Sequence, residues 1–278
     1  VDHIPQEGET ILGENYNTYM GGKGANQAVA AAKLGSEITY IANIGKDDFG
    51  DAAIKSYKRH NININHIYRD GLRSGIAFIM VSQDSGKNCI AVSSESNALL
   101  SPKHILDKSA VIMAANIVLI QLETPIDTVI EASAIVEKSK GIFIVNPAPG
   151  QILPDKLLSK IDIITPNETE AEILTGIKVI DSYSAKKAAL LLFKSGVKQA
   201  VIITMGSRGA YLHTKTISKL IPSLKVKAID TTAAGDTFNG ALAHALNLGD
   251  DIESAVQLSV RAAAISVTRN GAQNSAPS

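Results

Sequence analysis

Asp230-Thr231-Thr232-Ala233-Ala234-Gly235-Asp236 sets three small residues between carboxylates, just before a helix-prone run from Thr237 to Leu248. The residues before it, Leu224 to Ile229, are β-prone, so the segment reads as a strand-to-helix junction. Small residues at Ala233, Ala234 and Gly235 would let backbone N–H groups come close to a bound anion. A helix N-terminus adds unpaired donors and a partial positive charge. Asp236 then places a carboxylate beside that cradle, which suits phosphoryl transfer to a hydroxyl. The plain alternative is Asp236 as a helix N-cap. That accounts for the acid but not for the small residues before it.

Other stretches carry chemistry with less force. Gly21-Gly22-Lys23-Gly24-Ala25-Asn26 precedes an Ala-rich helix that ends near Gly35. Its glycines would admit a polyhydroxylated ligand close to the backbone, with Lys23 and Asn26 as hydrogen-bonding groups. A tight loop packed on a helix explains it equally well. Asn167 and Glu170 fall at i and i+3 at a predicted helix start. Glu170 could hold Mg²⁺ through water, or serve with Glu168 and Glu172 to complement the helix dipole. Glu123 could accept sugar hydroxyls or be a solvated loop acid. The six histidines lack metal-ligand spacing. The sequence has no G-x-x-x-x-G-K-[ST], so it is not a P-loop NTPase; no G-x-G-x-x-G follows a strand, which disfavours a dinucleotide-binding domain, and no G-x-S-x-G and no protein-kinase motif set is present.

The elements that must position these residues alternate between strand and helix. Ile38–Ile44, Asn116–Gln121, Ile142–Val145, Ile161–Ile164 and Ala200–Thr204 read as strands. Helices are expected at Asp48–Arg59, from Thr124-Pro125 to about Lys140, and at Glu168–Leu174, Ser184–Lys194, Asp236–Leu248 and Ile252–Thr268. Such alternation predicts an α/β fold whose mostly parallel sheet is covered on both faces. Ligands bind at the carboxyl ends of strands in open sheets. The loops opening at Asn146, Thr165 and Thr204 should therefore share one edge with Asp230–Asp236. Glu9–Met20 and Ser74–Ser93 are β-prone with little helical pattern. The second contains a hairpin signal around Asp84-Ser85-Gly86-Lys87. Together they predict a small antiparallel sheet suited to a lid or a dimer contact.

The 278-residue chain has 45% apolar and 19% charged residues, as in a folded globular protein. Lys+Arg and Asp+Glu stand at 27 each, so there is no electrostatic footprint for nucleic acid or an anionic membrane. Cys89 is the only cysteine. An intrachain disulfide and a Cys-rich metal site are excluded, and a reducing cytoplasm suits the composition. No apolar run approaches a membrane span. The chain opens at Val1 and stops at Asn274-Ser275-Ala276-Pro277-Ser278, which reads as part of a longer polypeptide.

Gly21–Asn26, Asn167–Glu170, Gly206–Gly209 and Asp230–Asp236, in this order and spacing, resemble the ribokinase family of sugar kinases (PfkB type) over essentially the whole chain. The resemblance implies one catalytic domain over residues 1–278. Its fold would be three-layer α/β/α, with a small β-sheet lid from about residues 8–21 and 73–95. It implies ATP-dependent phosphorylation of D-ribose at the 5-hydroxyl, and a homodimer through the lid. Asp236 would be the base, with Ala233, Ala234 and Gly235 as anion hole. Gly22, Lys23, Asn26 and Glu123 would surround the sugar. Asn167, Glu170, Thr204, Gly206 and Gly209 would face ATP and Mg²⁺. Asp230, Thr232, Ser266, Arg269, Gly271 and Ser275 would hold K⁺, mostly through backbone oxygens. Another PfkB-type sugar or nucleoside kinase, or a catalytically silent relative, are the competing readings. The family also has an N-terminal strand ending in Asn-x-Asp and a final helix, both outside this sequence. It often carries Gly-Ala-Asn where this chain has Glu95-Ser96-Asn97.

Overall fold

The computed structural model describes residues 1–84 and 88–278. Elements are numbered in chain order. Helix α1 (Lys23–Lys33) is followed by β1 (Ala42–Asn43), α2 (Asp48–Arg59), β2 (Ile67–Tyr68), β3 (Ile76–Val81) and β4 (Asn88–Ser93). Then come α3 (Pro102–Leu106), α4 (Ser109–Ala114), β5 (Ile117–Ile120), α5 (Ile126–Val136), β6 (Ile142–Val145), α6 (Asp155–Leu158) and β7 (Ile163–Ile164). Helices α7 (Glu168–Thr175) and α8 (Ser182–Lys194), strands β8 (Ala200–Thr204), β9 (Ala210–His213) and β10 (Ser218–Ile221), and helices α9 (Ala234–Asn247) and α10 (Ile252–Ser266) complete the chain.

The main sheet has the order β10-β9-β8-β7-β6-β5. Its β5 to β8 half is parallel, and β9 and β10 add antiparallel at the other edge. Side chains alternate between two cores, as the two-residue period of a strand demands. Phe143, Val145, Ile164, Val201 and Ile203 pack with Val129 and Ile135 of α5 and Ala188 and Leu192 of α8. Ile144, Ile163, Ala200 and Ile202 pack with Phe238 and Leu242 of α9 and Val256 and Val260 of α10. The layers are therefore helix, sheet, helix, as the alternation predicts. A third cluster joins Ala25, Ala28 and Val29 of α1 to Tyr57 of α2 and Ile44.

Several expectations are corrected. Ile38–Ile44 contributes only the short β1, which pairs in parallel with β2 outside the main sheet. The helix expected from Thr124-Pro125 to Lys140 has Pro125 as N-cap and ends at Val136. Leu224–Ile229 and Glu9–Met20 form no strand. Both segments are largely exposed and lack a neighbour strand to pair with, and an unpaired strand is not stable in water. The expected antiparallel sheet is therefore the β3–β4 hairpin alone, paired from Ile76↔Ser93 to Val81↔Asn88. Val1 and Asp2 run beside its end, accepting hydrogen bonds from the N–H groups of Gln83 (2.9 Å) and Asp84 (3.1 Å). Ser85, Gly86 and Lys87 of the expected turn lie outside the described residues. Glu95 adopts φ 43°, in the left-handed region. Glycine would adopt this conformation without the Cβ penalty.

Helix α9 meets α1 through small residues. A Cβ on Gly240 would stand 2.6 Å from the Gln27 carbonyl oxygen and 2.7 Å from the Ala30 Cβ. Alanine gains about 1 kcal/mol in helix propensity over glycine, but overpacking against backbone costs about 1–3 kcal/mol. We expect Gly240→Ala to lose about 1–2 kcal/mol in denaturant unfolding, the clash outweighing propensity. Unchanged or higher stability would mean that the two helices are not in tight contact.

Candidate active site

The N-termini of α1 and α9 converge at Asp236. This residue is not an N-cap. It is the third residue of α9, whose N-cap is Ala233 in the left-handed conformation with φ 58°. The strained cap turns the chain so that Asp236 points inward, where it is 7% exposed. Its Oδ2 accepts from Asn26 Nδ2 at 2.8 Å, and its Oδ1 from Gln27 Nε2 at 3.0 Å. Burial raises the Asp236 pKa. Hydrogen bonds from Asn26 and Gln27 and the charge of Lys23 oppose the rise without cancelling it.

The cradle beside it is partly open. Among the described residues, the N–H groups of Ala233, Gly235 and Asp236 have no protein acceptor, whereas that of Ala234 reaches the Thr231 carbonyl at 3.3 Å. A Cβ built on Gly235 meets nothing within 4 Å, so space stands over these donors. A helix terminus of this kind binds anions through its N–H groups and dipole.

The Gly21–Asn26 stretch is not a loop ahead of a helix: α1 begins inside it. Gly22 is the N-cap with φ 89° and offers no capping side chain. Glu123, from the loop after β5, fills that role across space, accepting from the Lys23 N–H at 2.8 Å. Burial raises the Glu123 pKa, with the Lys23 N–H and charge opposing. Asn26 Oδ1 is buried with no partner, a group in need of a donor. Hydrogen bonds and charge thus link Lys23 to Glu123, and Asn26 and Lys23 to Asp236, with Gly22 adjoining Lys23. Tyr40 joins them. Its hydroxyl pKa is well raised by burial, then by the charges of Tyr57, Glu123 and Asp236.

Asn167 and Glu170 form a capping box at the start of α7, each side chain accepting the other's N–H at 2.8 and 2.9 Å. Asn167 also bridges to Thr204 at the end of β8. Glu170 has its pKa raised by burial, and the charges of both Lys23 and Asp236 act on it. Gly206 and Gly209 shape the turn after β8 with φ 54° and 107°. Gly209 is required by packing, since a Cβ there would lie 2.0 Å from the Ile221 carbonyl oxygen. Among the described residues, no group of three or more His, Cys, Asp or Glu could cage a metal. One carboxylate with an oxygen to spare still fits Mg²⁺, which keeps most of its water.

Asp230 accepts from the N–H groups of Thr232 and Gly271, both at 2.9 Å. Burial pushes its pKa up, but the hydrogen bonds from Thr232 and Gly271 win and the net shift is downward. Ser266 and Ser275 donate their hydroxyls to the carbonyls of Ala263 and Ala272, which leaves their hydroxyl lone pairs and backbone oxygens as acceptors. Arg269 donates its N–H to the Ser266 carbonyl at 3.0 Å. The structure joins Asp230, Thr232 and Gly271 directly. No hydrogen bond among the described residues links Ser275 to Asp230.

The sequence reading missed the groups behind Asp236. Gln27, Asn146, Thr165 and Asn239 are all buried and hydrogen-bonded in series. Their signal was slight: polar residues in strand ends and in the first turns of helices, next to recognisable motifs.

Comparison with known proteins places the chain in a family. The model of the pfkB family of carbohydrate kinases matches residues 1–278, and the chain belongs to that family. It is 45% identical to a ribokinase of Haemophilus influenzae, over 100% of this chain and 90% of that protein. It is 37% identical to a deoxyribokinase of Salmonella typhi, over 100% of this chain and 90% of that protein. A solved structure of Arabidopsis thaliana ribokinase, complexed with ribose and ATP, superposes with a TM-score of 0.91 at 30% identity, covering 99% of this chain and 90% of that one.

Burial raises the folded pKa of Glu170. Its ionisation therefore costs stability above the folded pKa, and that cost fades as pH falls through the folded value toward the ordinary 4.5. Glu170→Gln keeps an acceptor for the Asn167 N–H and removes the charge. It is expected to melt no lower than the parent at mildly alkaline pH, with any advantage shrinking on acidification. Glu170→Ala loses the cap and about 1 kcal/mol. Thermal melts across pH check both; a Gln variant much weaker than the parent in alkali would contradict the charge argument.

Proposed function

We propose that this chain is an ATP-dependent kinase that phosphorylates D-ribose at its 5-hydroxyl, working as one catalytic unit over residues 1–278. The observation that carries this reading is the buried Asp236 carboxylate, set beside open helix-terminal N–H groups. Its relatives' names supply the sugar. Phosphoryl transfer needs alignment and charge stabilisation more than covalent help. The amides of Ala233 and Gly235 would stabilise the transferring oxygens. Asp236 would take the hydroxyl proton; its raised pKa makes it a better acceptor than an ordinary aspartate. Asn26 Oδ1 is free to accept from another sugar hydroxyl, and Glu123 with Lys23 closes the same side.

ATP would lie over Asn167, Thr204, Gly206 and Gly209, with Glu170 holding Mg²⁺ through water; bound there, the metal would neutralise phosphate charge. K⁺ would sit against Asp230, Thr232 and Gly271, with the carbonyls of Ser266, Arg269 and Ser275 completing its shell. It would fix the loop that leads into Ala233. An ATP-using enzyme with a single exposed thiol at Cys89 suits the cytoplasm. No helix of the described residues is long and apolar enough to cross a membrane.

Asp236→Asn should lower kcat by about 10²–10⁴-fold with ATP affinity little changed. Steady-state kinetics with D-ribose check this, and near-parental turnover would remove Asp236 from the role. The same assay with 2-deoxyribose as competitor substrate ranks the nearest alternative. Run with and without K⁺, it tests the cation site: Asp230→Ala should abolish any K⁺ stimulation, and a variant that still responds would dismiss the site.

The lid also carries the proposed dimer. Ile76 and Phe78 turn toward a cleft with Asp47 and Phe49. Ala77↔Val92 and Ile79↔Ile90 pair on the opposite face, where Ile79, Ile90 and Val92 are exposed. An apolar sheet face of this kind marks an interface. Sedimentation velocity should show a dimer for the parent and a monomer for Ile90→Glu; a parental monomer at micromolar concentration would contradict lid pairing.

A further inference from the structure

Gln27 lies in the first turns of α1, one residue after Asn26, and is 1% exposed. Its Nε2 donates to two acceptors, Asp236 Oδ1 and Asn146 Oδ1, both at 3.0 Å. Its Oε1 accepts from Gln121 Nε2 at 2.5 Å. The amide orientation follows from chemistry: an ionised carboxylate only accepts, so Nε2 must face Asp236. Both amide hydrogens and the carbonyl are used, and no rotation keeps all three partners. The series continues away from Gln27. Asn146 Nδ2 donates to the Thr165 carbonyl at 3.0 Å, and Thr165 Oγ1 to Asn239 Oδ1 at 2.6 Å. Asn239 Nδ2 then donates to the Gly235 carbonyl at 2.8 Å. The ring thus starts on the Asp236 side chain, crosses the carboxyl ends of β6 and β7, and closes on the residue before Asp236.

We infer that Gln27 is the positioning residue for the base: it aims the Asp236 carboxylate at the reacting hydroxyl and ties that aim to the strand ends. This rests on the kinase reading above. Asn26 alone cannot do it, because one hydrogen bond leaves the carboxylate free to pivot about the bonded oxygen. Gln27 holds the second oxygen and is itself fixed by Gln121 and Asn146. A lone pair on each oxygen remains for substrate. A buried glutamine kept only for packing would need Gln121 and Asn146, not Asp236. The titratable groups facing Asp236 are Lys23 on α1, Tyr40 ahead of β1, Glu123 after β5 and Glu170 in α7. The variants below leave all four in place.

Two variants of Gln27 test the assignment. Gln27→Leu removes the hydrogen bonds at similar volume; Gln27→Glu keeps the shape and sets a second carboxylate beside the first. A donor to the ionised form holds a carboxyl pKa down, so its loss moves the pKa up, and a like charge moves it further. Both variants should lose about 10–100-fold in kcat while the KM for ATP stays near parental. The acid limb of kcat/KM for ribose should move to higher pH, more for Gln27→Glu. Carboxyl ¹³C titration of Asp236 should move the same way. Parental kcat in either folded variant overturns the assignment. So does a loss of kcat in step with melting temperature while the acid limb stays in place. If Gln27→Leu fails to fold, the isosteric Gln27→Glu decides alone. A parent that makes no ribose phosphate overturns the kinase reading instead, and the ¹³C titration, which needs no turnover, still decides whether Gln27 governs the Asp236 carboxyl.

Discussion

A carboxylate buried at a helix N-terminus is the constraint on which the site depends. Removing Asp236 from water costs several kcal/mol unless hydrogen bonds replace the solvent. The replacement comes from one helix: Asn26 and Gln27 of α1 each satisfy one oxygen of a residue on α9. These contacts span more than two hundred residues of sequence, so they hold only if α1 and α9 lie close. The close approach explains the small residues along both helices, with Gly240 of α9 against Ala30 of α1. The site and the packing are thus one requirement seen at two scales.

The sheet enters through its strand ends. Gln121, Asn146 and Thr165 follow β5, β6 and β7, and each joins the hydrogen-bonded series that reaches Asp236 or Gly235. Parallel strands bring their carboxyl ends to one edge, so polar residues just past successive strands must meet there. The same edge gathers three buried or half-buried acids, Glu123, Glu170 and Asp236, each with its pKa raised by burial. Lys23 is the basic side chain whose charge acts on all three. Such a cluster is poor for stability and well suited to a polyphosphate with its metal ion. Perturbed acids of this kind collect at functional sites.

The alternation of strands and helices and the two covered faces of the sheet were legible because each follows from local pattern. Strand residues such as Phe143 and Ile144 point to opposite helices as their period requires. Failures arose where pattern depends on partners. Glu9–Met20 and Leu224–Ile229 are β-prone, but β structure needs a neighbour and neither segment has one. The strands β9 and β10 were passed over because Gly209 and the Thr214–Thr216 turn obscured two short runs that pair mainly with β8 and each other. Asp236 looked like a possible cap because capping and catalysis use the same residue type at nearly the same place. Only the left-handed Ala233 separates the two. Gln27 and Asn239 carried only a slight signal: a buried polar residue inside a helix has no period, and its partners come from distant segments.

In the proposed reaction the buried Asp236 carboxylate deprotonates the 5-hydroxyl of ribose for attack on ATP. The most direct test is ³¹P NMR of the chain incubated with ATP, Mg²⁺, K⁺ and D-ribose. A phosphomonoester coupled to the ribose C5 protons, formed in step with ADP, is the expected result. ADP without a sugar ester, an ester on another ribose oxygen, or no ribose-dependent change would contradict it.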